Sequence, residues 1–230
     1  MPFNFNYFDV ILILIIFILN TILILKFRIK FNVKINLIFF NLIHVFLYFF
    51  IFPSFYEFYN DTSYYYEHLS QNLNFIDFIE SEFTHIKSIR LPSIGVNVFN
   101  YIIYNILNTT NIYIIGYIHI VLFHISLYFL SKIFSKKKLS PCVIVLLFIS
   151  PSIFTYSMPL LKDLFTLTLV IFATTTFISK RYVLFLFLVV ILFSTRIYGV
   201  MAILPTIFSI YFLENYMKNR ENDRVLYMTM

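Results

Sequence analysis

Apolar residues in this chain come in long runs, not in alternating faces. The first run, "NYFDVILILIIFILNTILILKF" from Asn6 to Phe27, is interrupted only by Asp9, Asn20, Thr21 and, next to its end, Lys26. Runs of ~20 apolar residues match the ~30 Å hydrocarbon core of a bilayer, so the pattern predicts helices that cross a membrane. Such spans are expected over Tyr7 to Leu25, Ile35 to Phe52, Asn111 to Leu130, Leu139 to Tyr156 and Pro159 to Ile178. The stretch from Tyr182 to Leu213 would form a single helix of roughly 48 Å, more than one crossing needs. Arg196, Gly199 and Pro205 interrupt it. Two short helices turning near Arg196 are expected there, with one long tilted helix as the alternative. The first run has no basic region before it and no small-residue cleavage site after it, so it reads as a retained span and not a signal peptide. No internal repeat or low-complexity linker is evident.

Composition agrees with this pattern. The 230 residues are 60% hydrophobic, 21% aromatic and only 12% charged, too few charges to cover a soluble domain of this size. The expected fold class is all-α: one integral membrane domain over 1–230, a multi-pass transmembrane helical bundle of about seven spans. Only three glycines occur, so close glycine-mediated helix packing is not expected. The single Cys142 excludes an internal disulfide and a multi-cysteine metal site. Enrichment in Ile, Phe, Asn and Lys points to an AT-rich genome, and a bacterial plasma (inner) membrane is the expected location.

Charge sets the orientation. Lys26, Arg28, Lys30 and Lys34 follow the first span, and Lys132 and Lys136 to Lys138 follow the third. Lys180 and Arg181 follow the fifth, and Lys218, Arg220 and Arg224 lie in the tail, about 214–230. If spans alternate, these thirteen of the seventeen basic residues share one side, which is the cytoplasm. The N-terminus is then outside and the C-terminus cytoplasmic. The longest connection, about 57–110, is an outer loop. Its apolar piece from Val98 to Leu107 is too short to cross and is expected as an interfacial or re-entrant helix.

Within "SMPLLKDLF" Lys162 and Asp163 stand side by side. Pro159 suits a first helical turn and Ser157 a cap, which puts both charges just below the outer surface. Neighbouring helical residues point about 100° apart, so the two do not pair with each other. Arg196 falls on the same side, between "VVILFS" and "YGVMAILP". An intramembrane arginine is by default a site for lipid phosphate, another phosphate or a carboxylate. Two plainer readings stand beside this. Lys162 snorkels while Asp163 caps its helix, or Arg196 pairs with Asp163 and only staples two helices.

The order of these elements resembles multi-spanning glycosyltransferases of the GT-C type and the related O-antigen or capsule repeat-unit polymerases. The elements are "DTSYYYEHL" (Asp61 to Leu69), "SPSIFTYSMPLLKDLF" (Ser150 to Phe165) and "TRIY" (Thr195 to Tyr198), and the likeness runs from Asp61 to Leu213. It implies sugar transfer or polymerisation from polyprenyl-(di)phosphate carriers, at the outer face, in surface polysaccharide assembly. Asp61 would be the catalytic acid that activates or orients the acceptor hydroxyl. Lys162 and Arg196 would hold the carrier phosphate, with Asp163 orienting one of them. Tyr64, Tyr65, Tyr66 and Tyr198 would line the substrate. Members of these families are longer and often carry a second acid beside the first, whereas Asp61 is followed by Thr62. The resemblance therefore implies a compact variant, half of a split enzyme with a partner subunit, or a remnant of a longer one.

Other signals carry less. His119 and His124 lie about 140° apart on one helix, so they do not share a metal, and with His44 they read as helix-packing or interfacial residues. No metal-ligand spacing is recognisable among His68, His85, Glu67, Asp77, Glu80 and Glu82 of the outer loop. No cofactor is expected, a divalent cation there being the minor alternative. "NDT" at Asn60 and "NTT" at Asn108 are formal glycosylation sequons in an Asn-rich chain. "SKKKLS" reads as an anchor to anionic lipid, not a nucleic-acid patch. The expected partners are membrane lipid and a polyprenyl-linked saccharide. The rival reading is a non-catalytic carrier or flippase component, which needs polar residues along a path through the midplane. Spans one, two and four offer little beyond Asn20, Asn41 and His44, which counts against that rival.

Overall fold

A computed structural model describes residues 7–47, 50, 74–86, 94–109, 111–136, 162–196, 198–201, 203–205 and 207–208. Among these the regular structure is helical, with no strand. In chain order the helices are α1 (Tyr7–Lys26), α2 (Phe31–Phe46), α3 (Phe75–Ile86), α4 (Ile94–Leu107), α5 (Ile112–Lys136), α6 (Lys162–Ile178) and α7 (Tyr182–Thr195). The described positions of 198–208 are helical again and form α8. The expected span from Leu139 to Tyr156 and the Pro159 helix start lie outside the described residues.

Local chemistry sets most boundaries. Lys34 donates from Nζ to the Leu25 carbonyl at 2.7 Å, placing a cation on the exposed carbonyls that end α1 and closing the α1–α2 hairpin. Asn74 caps α3, accepting from the Asp77 N–H at 3.0 Å while its amide donates to the Asp77 carboxylate at 2.6 Å. Asn111 caps α5 by accepting from the Tyr113 N–H at 2.9 Å. Lys180 takes a left-handed conformation (φ 60°) after α6. The Arg181 N–H then returns to the Thr176 carbonyl and the Lys180 N–H to that of Phe177, both at 2.9 Å. This wrap satisfies the last carbonyls of α6 and turns the chain straight into α7.

α5 is the hub. One face meets α1 and α2 through the Phe27–Tyr128 stack and the Phe40–Phe123 contact. The other meets α4 and α6 through Phe99, His119 and Phe165, and through Phe129 against Phe172. Because His119 meets Phe165 and Phe129 meets Phe172, α5 and α6 run parallel. α7 returns antiparallel to α6, with Phe177 against Tyr182 and Phe185. A smaller apolar cluster of Val96, Phe165, Leu169, Ala173, Leu192 and Ile203 joins α4, α6, α7 and α8.

Two helices, Tyr7–Lys26 and the Ile112–Ile133 part of α5, are long and apolar enough to cross a membrane. Phe31–Phe46, Ile94–Leu107 and Tyr182–Thr195 are shorter apolar helices. α1 leaves Ile11, Leu14, Ile15, Ile18, Leu19 and Ile22 exposed, and α7 leaves Val183, Leu186, Phe187, Val190 and Phe193 exposed.

Glycine matters to the packing, contrary to the expectation from its rarity. A Cβ on Gly95 would lie 2.3 Å from Thr195 Oγ1, and one on Gly199 would lie 2.7 Å from Leu192 Cδ1. These two positions let α4 and α8 close onto α7. Rarity in the composition said nothing about placement at the crossings.

Candidate functional site

The chain breaks at Arg196, as one of the two expected arrangements required. α7 ends at Thr195, Arg196 is extended (φ −163°, ψ 112°), and helix resumes at Tyr198. Because α7 is antiparallel to α6, its last residues lie beside the first turn of α6. The extended step turns Arg196 across to Asp163, and Arg196 Nη1 forms an ion pair with Asp163 Oδ1. Both side chains keep solvent contact, with relative exposures of 33% and 26%. Lys162 precedes Asp163 in the same turn, so two cations and one carboxylate gather at this end with one net positive charge. Tyr198 stands two residues beyond Arg196 and is exposed.

Small side chains tighten the surroundings. Thr166 Oγ1 donates to the Lys162 carbonyl at 2.7 Å. Ser194 and Thr195 both donate to the Ile191 carbonyl, at 2.7 and 2.8 Å. Gly95 sets the start of α4 against those two hydroxyls. Asp163 and Arg196 thus come together as an ion pair, the arrangement that one of the plainer sequence readings gave for Arg196, while Lys162 and Tyr198 are near them along the chain. Asp61, Tyr64, Tyr65 and Tyr66 lie outside the described residues.

A second polar centre escaped the sequence reading. Asn20 of α1, Asn41 of α2 and Tyr117 and His124 of α5 meet in the interior. The Asn20 amide donates to Asn41 Oδ1 at 2.9 Å and lies 2.8 Å from His124 Nδ1. Tyr117 also donates to Asn41 Oδ1. The Asn41 amide donates to Thr21 Oγ1 at 3.1 Å, and Thr21 donates on to the Phe17 carbonyl at 2.9 Å. His44 Nδ1 lies 2.9 Å from the Phe40 carbonyl. The signal was present as single asparagines and histidines inside apolar runs, but their convergence depends on how three helices pack.

Two further polar contacts tie helices together. His119 Nε2 and Asn100 Oδ1 are 2.7 Å apart between α5 and α4, with Phe99 and Phe165 against the imidazole. Asp9 at the start of α1 accepts from the Asn111 amide at 3.0 Å and from Thr109 Oγ1 at 3.4 Å. His119 and His124 therefore face different neighbours. Among the described residues no three His, Cys, Asp or Glu side chains converge to hold a metal ion. Compared with known protein families, curated proteins and solved structures, the chain matches none.

Proposed function

We propose that the chain is a multi-pass membrane glycosyltransferase or repeat-unit polymerase, acting on polyprenyl-(di)phosphate-linked sugars. The observation that carries the reading is the Asp163–Arg196 pair, part-exposed beside Lys162 at one end of the bundle. Exposed apolar faces on α1 and α7 support a lipid surround, and the proposal includes the about seven spans and the bacterial plasma membrane expected from the apolar runs and the composition. The ends of α1, α5 and α6 opposite Asp163 carry Lys26, Lys132, Lys180 and Arg181, which supports a cytoplasmic location for that end. The Arg196 end then faces outward, where lipid-linked saccharides are assembled.

In this reading Arg196 and Lys162 take the phosphate of the carrier, and Asp163 holds the guanidinium in place. Transfer joins an acceptor oxygen to the anomeric carbon, breaks that carbon's bond to the phosphate oxygen, and moves the acceptor proton to Asp61. Cations already positioned at the leaving phosphate stabilise the charge that develops there. A carrier role is the second reading, favoured by the interior centre of Asn20, Asn41, Tyr117 and His124.

Mass spectrometry of lipid-linked and surface glycans separates the two. The native strain is compared with a deletion, Asp61→Asn and Arg196→Gln at matched expression. Transfer predicts that all three changes lose the same sugar or accumulate the same short intermediate. A deletion phenotype with native glycans in Asp61→Asn rejects the catalytic role and leaves the carrier. Native glycans in the deletion reject both.

A further inference from the structure

The turn between α1 and α2 reads "KFRIK", Lys26 to Lys30, and its burial alternates with its polarity. Phe27 is buried and stacks on Tyr128 of α5 with ring centroids 3.9 Å apart, and Ile29 packs on the main core. Lys26, Arg28 and Lys30 are exposed. Residues 27–30 lie outside both helices, and alternation of this kind puts the three cations on one side of the turn. Lys132 adds a fourth. It is exposed, one turn beyond Tyr128 on the same face of α5, and that face carries Phe27.

Neighbouring structure accounts for only part of this charge. Lys26 is in the last turn of α1, and Lys34 donates to the Leu25 carbonyl at 2.7 Å, so both serve the carbonyl end of that helix. Arg28 and Lys30 have no such role. Lys30 is the N-cap of α2, which starts with no side-chain cap and no acid in its first turn. A cation there opposes the helix dipole, whereas an added anion suits the cations and the dipole alike. Among the described residues no carboxylate is at hand. Asp9 and Asp163 begin α1 and α6 at the opposite end of the bundle, and Asp77, Glu80 and Glu82 are on α3, which packs against α4.

The flanks of the turn decide what the anion is attached to. Ile18, Ile22 and Leu25 of α1, and Phe31, Ile35 and Phe39 of α2, are exposed in rows that run up to the cations. A free anion leaves that surface bare, while the acyl chains of a lipid cover it. We propose that the α1–α2 turn is a binding site for an anionic phospholipid, with Arg28, Lys30 and Lys132 on the headgroup phosphate and the exposed rows of α1 and α2 on the acyl chains. Charge at a membrane surface attracts anionic lipid generally. Here Phe27 and Lys34 fix the turn, so the cations form a local site at one place on the bundle. The site needs the membrane setting of the proposed function but not sugar transfer.

The test puts the full chain into vesicles of phosphatidylcholine, with and without phosphatidylglycerol, and reads the lipids it retains by native mass spectrometry. Arg28→Gln with Lys30→Gln removes two cations from the site. Lys180→Gln with Arg181→Gln removes two from the α6–α7 turn at the same end. The native chain is expected to retain phosphatidylglycerol in preference to phosphatidylcholine. Each cation near a membrane surface is worth about 5-fold, so the first pair should lower that preference by about 20- to 30-fold and the second by less than about 2-fold. Equal losses in the two pairs would mean attraction spread over the whole end and would overturn the site. So would a native chain without preference, or displacement of phosphatidylglycerol by inorganic phosphate at equal concentration. Flotation separates this from the membrane reading. A chain that stays out of phosphatidylcholine vesicles rejects the membrane setting and the site with it, whereas one that floats without preference rejects the site alone. The native chain's choice among the two lipids and phosphate decides even if a variant fails to fold.

Discussion

Substituting Gly95→Ala perturbs the crossing that seats α4 beside the Arg196 end. The added methyl would lie 2.3 Å from Thr195 Oγ1, 2.7 Å from Ser194 Oγ and 3.0 Å from the Ile191 carbonyl oxygen, against about 3.4 Å for ordinary contact. Neither hydroxyl swings away freely, since both donate to that same carbonyl. The carbonyl is backbone and moves only with α7. α4 must therefore back off by about 1 Å, and overpacking of this kind costs about 1–3 kcal/mol. Gly95 lies in the first turn of α4, where alanine returns only about half of the ~1 kcal/mol of interior helix propensity, which leaves a net loss of about 0.5–2.5 kcal/mol. For a chain of this length that lowers Tm by about 1–10 °C, measured by thermal unfolding in detergent. Adding Ser194→Ala and Thr195→Ala removes two of the three obstructing atoms, and a coupling of at least ~0.5 kcal/mol is expected in the mutant cycle. A Tm in Gly95→Ala equal to or above native would refute this packing of α4 on α7.

Asp163→Asn is expected to destabilise by about 1–2 kcal/mol, between an exposed pair at ~0–1 and a hydrogen bond to a charged group at ~1.5–3. Strictly additive losses in a cycle with Arg196→Gln, read by unfolding, would show that the pair does not bind α6 to the break. Asn41→Leu removes the partner of Asn20, Tyr117 and Thr21 at once. At ~0.6 to 1.7 kcal/mol for each interhelical hydrogen bond in membrane proteins, about 2–5 kcal/mol is lost. Asn105→Ala, whose amide meets its own helix at Tyr101 on an exposed face, is the matched control and should change stability by less than ~0.5 kcal/mol.

The positions of α1, α5 and α6 and the break at Arg196 were legible because long apolar runs and an interrupting charge leave few alternatives. Boundaries were less so. α2 begins at Phe31 and not Ile35, since Lys34 lies inside its first turn and reaches back to Leu25. α4 begins at Ile94 and not Val98, because Gly95 is accommodated where α4 closes on α7. The 140° separation of His119 and His124 correctly assigned them to different faces of α5. Their partners could not be read, because Asn20, Asn41 and Asn100 are equally polar interruptions in sequence. Only the packing of α1 and α2 on one side of α5, and of α4 on the other, selects which amide meets which imidazole.

That arrangement bears on the choice between chemistry and carriage. A carrier of the rocking type needs two packed halves that separate at one end. Here α1 and α2 hold one face of α5, and α6 and α7 are built on the other. α4 ties them at the Arg196 end. Its C-terminal turn leads through Thr109 and Asn111 to Asp9 of α1, while Gly95 at its start is locked against Ser194 and Thr195 of α7. Opening that end would break a buried carboxylate's hydrogen bonds and a close glycine crossing together, each of which stabilises the closed form. A helix that braces both halves favours the proposed transferase over the carrier, since in that proposal Arg196 and Lys162 would already be in place when a leaving phosphate develops charge.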